Sequence, residues 1–138
     1  MIHHEDTKVT KDTKKSGLVV SHAVIGAAIE VHRCLGPGLL ESVYQSALCR
    51  ELWLRGLTTQ RHLPVEVHYK GADLGTTLRL DLVVQGCMVV EVKSAAELAQ
   101  VHRAQLLTYL KLTGYQVGLL INFNTVLLRH GIRRVLNG

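Results

Sequence analysis

The segment YQVGLLINF, Tyr115 to Phe123, carries an unbroken apolar run from Val117 to Ile121. A strand with no polar alternation has both faces covered, so it belongs inside a sheet rather than at its edge. Any fold for this chain must therefore build layers around that strand. The rest of the chain supplies candidates for both sheet and cover. Apolar residues recur at helical spacing from Leu18 to Leu35, through Leu18, Val19, Ala23, Ile25 and Ile29. Gly36-Pro37-Gly38 stops that helix, because glycine can adopt a left-handed cap and proline cannot continue the ladder. A second helical pattern runs from about Leu39 to Arg55, with Val43, Ala47, Leu48 and Leu52 on one stripe, and Gly56 ends it.

Beyond Gly56 the period changes from helical to alternating. Two strand patterns flank the turn Lys70-Gly71-Ala72-Asp73, and a third covers Met88 to Lys93. Ser94-Ala95-Ala96-Glu97 has the spacing of a capping box, which predicts a helix from there to about Leu112, closed by Gly114. After the central strand, VLLRHGIRRVL predicts a fifth, exposed strand. The order is ααβββαββ, an α/β chain with a mixed central sheet flanked by helices, and no internal repeat is visible.

With 138 residues, 47% of them apolar and 20% charged, the chain has the material for one domain with its own core. Residues 1–16 mix charges of both signs without apolar periodicity and are expected to be a mobile leader to a domain spanning 17–138. The formal net charge of +5 suits a polyanionic partner without requiring one. Three cysteines, Cys34, Cys49 and Cys87, with no C-x-x-C spacing, argue against a disulfide framework or a zinc ribbon. No signal-peptide pattern and no apolar run long enough to span a bilayer are expected, so the chain is read as cytoplasmic with no membrane partner.

Within the strands, LRLDLVVQGCMVVEVKS places Asp81, Glu91 and Lys93 in otherwise apolar surroundings. By alternation, Leu78, Leu80, Leu82 and Val84 share one face of their strand, and Arg79, Asp81 and Val83 the other. A two-residue turn at Gln85-Gly86 would pair Asp81 with Val90 and send Glu91 to the opposite side. A three-residue loop centred on Gly86, or a bulge, pairs Asp81 with Glu91. We expect the second arrangement, because it keeps the polar residues together. Two adjacent carboxylates repel when empty and suit a hard divalent cation such as Mg²⁺ or Mn²⁺. An ammonium two residues on can orient a water or neutralise phosphate charge. A salt-bridged sheet face would show the same three residues. Gln105 and Tyr109, four apart in the third predicted helix, share a face above the end of this strand. Glu41 opens the second predicted helix and could bring a third carboxylate.

The series Asp81…Glu91-Val92-Lys93…Gln105-x-x-x-Tyr109 resembles the PD-(D/E)XK nuclease superfamily, in its RecB-like branch. Gly38-Leu39-Leu40-Glu41-Ser42-Val43-Tyr44 is a G-x-x-E-x-x-Y, and with the flanking segments it resembles the small GxxExxY family, over about Val19 to Leu136. The resemblance implies a restriction-endonuclease-like fold and metal-dependent hydrolysis of phosphodiester bonds in DNA or RNA. It implies Asp81 and Glu91 as direct ligands of Mg²⁺ or Mn²⁺, Glu41 completing the metal site, and the Val92 carbonyl as a further ligand. Lys93 would be the catalytic lysine, with Gln105 and Tyr109 positioning water, lysine or phosphate. Leu80 stands where the superfamily motif has proline. The alternative is a nuclease-like module that binds nucleic acid or assembles with protein without cutting. The small size leaves room for a homodimer or a larger protein partner.

Overall fold

The computed structural model describes residues 4–138, with side chains from Thr13 onward except at position 76. Helix α1 (His4–Leu35) and helix α2 (Glu41–Leu54) precede strands β1 (Thr59–Tyr69), β2 (Ala72–Val84) and β3 (Met88–Lys93). Helix α3 (Gln100–Thr113), strand β4 (Val117–Asn122), a 3₁₀ turn (Leu128–Gly131) and strand β5 (Ile132–Leu136) follow. The sheet order is β1-β2-β3-β4-β5. Only β3 and β4 are parallel, as a strand–helix–strand crossover through α3 requires; the other three pairings are antiparallel. The expected α/β order is the one found, and β4 lies inside the sheet.

The sheet is covered on both faces. On one side, Val24, Ala27, Ala28 and Val31 of α1 and Tyr44, Leu48 and Leu52 of α2 pack on Leu82, Val90, Val92, Leu119 and Ile121. On the other, Leu106 and Leu110 of α3 pack on Leu80, Val83, Val89, Leu120 and Val135. Strand β3 lies between both cores and is buried from Met88 through Val92. At Gly17 a Cβ would come within 2.9 Å of Val117 Cγ2 and 3.0 Å of the Cys87 carbonyl, so the lack of a side chain lets α1 lie directly on the sheet.

Four expectations change. Helix α1 begins at His4 rather than near Leu18, so from His4 the expected leader is continuous with it; residues 1–3 lie outside the described residues. Apolar periodicity finds only the docked part of a helix, whereas a docked helix extends at one hydrogen bond per added residue until a breaker intervenes. A span of α1, Thr13–Leu35, is also long and apolar enough to cross a bilayer, contrary to expectation. Here it is a core helix whose inner face supplies Val24, Ala27, Ala28 and Val31. Helix α3 opens at Gln100, because Ser94 and Ala95 are engaged elsewhere. Ser94 Oγ donates to the Leu39 carbonyl (2.6 Å), and the Asn122 amide brackets the Ala95 backbone, accepting from its N–H and donating to its carbonyl (both 3.0 Å). The true cap is His102, whose Nδ1 accepts the Ala99 N–H at 3.1 Å. Finally, the first half of the predicted fifth strand is the 3₁₀ turn, and only Ile132–Leu136 pairs with β4.

Candidate metal centre

The β2–β3 connection is the three-residue loop Gln85-Gly86-Cys87, with Leu82 opposite Val90, Val83 opposite Val89 and Val84 opposite Met88. Gln85 selects this loop. Its side-chain oxygen accepts from the Thr58 N–H (2.7 Å) and hydroxyl (2.8 Å), while its own N–H donates to the Thr58 carbonyl (2.9 Å). These three bonds hold Gln85 at φ 54°, a left-handed conformation otherwise unfavourable for a residue with a side chain.

One step along the same register, Asp81 meets Glu91, and there the ladder opens. The Val92 N–H donates to Asp81 Oδ2 at 2.8 Å, and the Asp81 N–H makes a long contact to Glu91 Oε1 at 3.5 Å. On the other side of β2, the β1 register passes from Arg61–Leu82 to Leu63–Leu80 across His62, whose φ is 53°. The alternation slips here. Leu80 and Val83 both pack under α3, whereas Leu82 and Val84 pack under α1 and α2. Leu80 therefore does not share the face of Leu82, as strict alternation predicts. The irregularity frees the Asp81 carboxylate from the regular pleat and sets it beside Glu91.

Glu91 is only 5% exposed. Burial, reinforced by the adjacent Asp81 carboxylate, pushes its pKa up to about 9, against a smaller opposing pull from Lys93. Without a cation it therefore holds a proton at neutral pH. Tyr109 of α3 is raised by burial and then by the charges of Glu91 and Asp81, so its ring lies within their field. Gln105, one turn earlier on α3, has an exposed side chain. Lys93 is half-buried at the end of β3, on the Glu91 side of the strand by alternation. The Val92 side chain is in the opposite core, so only its main chain can serve this face, and its N–H is donated to Asp81.

Glu41 is half-buried in the first turn of α2, and a short chain of contacts ties that turn to the end of β3. Tyr44 is fully buried. Its hydroxyl donates to the Gly36 carbonyl (2.6 Å) and accepts from the Leu39 N–H (3.1 Å). Its ring stacks on Phe123, with centroids 4.5 Å apart and planes 7° from parallel. The Phe123 N–H donates to the Lys93 carbonyl at 2.9 Å, and Ser94 Oγ closes the circuit on Leu39. Tyr44, Phe123, Asn122 and Ser94 thus hold the ends of α2 and β3 together. Only the Tyr44 spacing pointed toward this; Asn122, the one polar residue of an otherwise apolar strand, was a further usable signal. Tyr44→Phe keeps the stack but leaves the Leu39 N–H and Gly36 carbonyl without that partner. The expected cost is about 1–2 kcal/mol, read as a lower urea midpoint at unchanged m-value.

A second group of potential ligands, Glu66, His68 and Asp73, lies near the tip of the β1–β2 hairpin, with one ligand atom from each within 4.8 Å of the others. All three are exposed, and Asp73 Oδ1 accepts the Gly75 N–H. Asp73 and Asp81 stand eight positions apart along β2, roughly 25 Å at strand rise, so the two groups cannot share an ion.

The donors around Asp81 and Glu91 are all oxygen, one of them a buried carboxylate with no cation beside it strong enough to ionise it. That set fits a hard divalent cation and offers nothing to a soft one. No curated protein and no solved structure matches the chain. Residues 19–135 match the family model of the PD-(D/E)XK nuclease superfamily. With the mixed sheet, the paired carboxylates at the opened β2–β3 ladder and Lys93 on the same strand as Glu91, the chain belongs to the PD-(D/E)XK nuclease superfamily.

Proposed function

We propose that this chain is a Mg²⁺- or Mn²⁺-dependent nuclease, of the GxxExxY family within the RecB-like branch, that hydrolyses phosphodiester bonds in DNA or RNA. The observation that carries this reading is the buried Glu91 carboxylate set beside Asp81, a pair that is self-opposed until a cation joins it. Asp81 and Glu91 are the direct ligands, Glu41 and the Val92 carbonyl complete the set, and the working domain is 17–138. A bound divalent cation supplies Lewis-acid polarisation of the phosphate and acidifies water.

The chain's own residues do the rest. Hydrolysis forms one P–O bond to the oxygen of the attacking water, breaks one P–O bond to the leaving oxygen, and moves one proton from that water to the leaving oxygen. Glu91 would serve as a ligand in its carboxylate form, beside Asp81. Lys93 contributes a fixed positive charge against the charge that builds on phosphorus-bound oxygen. Tyr109 and Gln105 on α3 overlie the same end of the sheet and orient phosphate or water. Cys34, Cys49 and Cys87 are all free thiols, in keeping with work in the reducing cytoplasm. A homodimer or a larger partner extends the surface that reads the substrate.

The test is a panel of labelled single- and double-stranded DNA and RNA incubated with the protein in Mg²⁺, Mn²⁺ or chelator. The expected result is cutting of at least one substrate class with metal and none with chelator. Metal-independent binding without cutting of any substrate would instead identify a nucleic-acid-binding module.

A further inference from the structure

Between α3 and β5 runs a groove that the carboxylate site does not use. It consists of two cavities, of about 190 and 340 Å³, which share Gln100 and Arg103. Arg133 of β5 lines the smaller one, together with Leu98, Ala99 and Leu120. Leu98, Leu107, Leu120 and Val135 give it apolar lining, two arginines from separate elements line it, and no carboxylate lines either cavity.

The sheet register connects this groove to the metal centre. Glu91 is paired with Leu120, and Leu120 with Arg133. Leu120 packs under α3, as does Val135, two residues beyond Arg133. Asp81, Glu91, Leu120 and Arg133 therefore form one row across four strands on the α3 side. At the usual strand spacing, Arg133 lies about 10 Å from Glu91, backbone to backbone. Arg133 is also pre-set. Its Nη1 donates to the His130 carbonyl (3.0 Å) and the Ile132 carbonyl (2.9 Å), which fixes the guanidinium and leaves the Nε and Nη2 donors for a ligand.

We propose that Arg103 and Arg133 form a backbone-phosphate subsite that holds the substrate strand a few nucleotides from the bond being cut. The inference rests on the nuclease reading above and names where the strand runs. An acidic peptide would satisfy two guanidiniums equally well. The alignment of Arg133 with the carboxylate row favours the strand whose phosphate must reach that row.

The experiment measures anisotropy of short labelled oligothymidylate and oligouridylate across a salt series, in an Asp81→Asn background that does not cut. Arg103→Ala and Arg133→Ala are each expected to weaken binding about tenfold and to make the log K against log salt slope shallower by roughly one. Arg103→Lys and Arg133→Lys keep the charge and should restore the slope. Arg33→Ala, which removes an arginine paired with Glu30 on α1, should change neither quantity. Arg103→Ala disturbs no backbone contact of Arg133, so it reports even if Arg133→Ala loosens β5. A double alanine variant with the parent's affinity and slope, or a parent that binds neither oligomer, overturns the subsite. If wild type cuts while the double variant binds normally, the subsite alone falls. If the variants lose affinity and slope but wild type cuts nothing, the nuclease reading falls and the groove stands.

Discussion

Glu91→Gln is expected to make the metal-free protein more stable and, in the same protein, to abolish cleavage. The stability effect follows from proton linkage. In the unfolded chain Glu91 titrates near its ordinary value of 4.5, and in the fold burial and Asp81 push it up to about 9. The native state therefore holds a proton that the unfolded state releases. The stability associated with that proton is complete below about pH 4.5 and is lost as pH rises through about 9. The limiting slope is about 1.4 kcal/mol per pH unit, reduced in practice as structure and water relax around the charge. Glutamine occupies the same space and does not titrate. At pH 5 the two proteins should melt at nearly the same temperature; at pH 8, in chelator, the variant should be more stable by about 2 kcal/mol, or roughly 5 °C. Cleavage goes the other way, because the amide offers the cation no charge. Thermal melts at the two pH values, with parallel cleavage assays, check both halves. Wild type and variant falling in parallel from pH 5 to 8 would mean that Glu91 ionises freely and that the centre is not strained.

Lys93→Ala is expected to separate chemistry from metal binding. Lys93 is no ligand, and its effect on Glu91 is the smaller, opposing one. Mn²⁺ affinity should stay within about threefold. Single-turnover cleavage should fall about 10³-fold, the scale on which a charge aimed at a developing oxyanion acts. Arginine at this position should restore little, because a planar fork does not replace a compact ammonium at a half-buried strand end. If Lys93→Ala lost metal affinity and rate together, Lys93 would be holding the centre together rather than serving the reaction.

The most legible features were those that depend on parity. Without a bulge, Asp81 and Glu91 share a face only if the loop between them has an odd length, and the Gln85-Gly86-Cys87 loop has that length. The apolar run of β4 likewise announced a strand covered on both sides. Where alternation itself fails, the reading failed with it. Leu80 crosses to the α3 core because the ladder opens at Asp81, and no pattern of residue types records an opened ladder. Helical stripes were blurred for another reason. Val19, Ile29 and Val43 fit the spacing but are exposed, while Tyr44 and Gln45 are buried, because inner and outer faces of α1 and α2 both carry apolar residues. The Ser94 spacing suggested a cap, yet the hydroxyl found a stronger use fifty-five residues away on Leu39. Local motifs do not report such long-range partners, and the circuit through Tyr44, Phe123 and Lys93 is made of them.

The most direct measurement is calorimetry of Mn²⁺ binding to wild type and Glu91→Gln at pH 7, in two buffers of different ionisation enthalpy. Wild type is expected to bind with release of about one proton, seen as a buffer-dependent heat, and the variant is expected to lose that binding. Binding without proton release, or binding equally tight to Glu91→Gln, would contradict the claim that the Asp81–Glu91 pair is the metal centre.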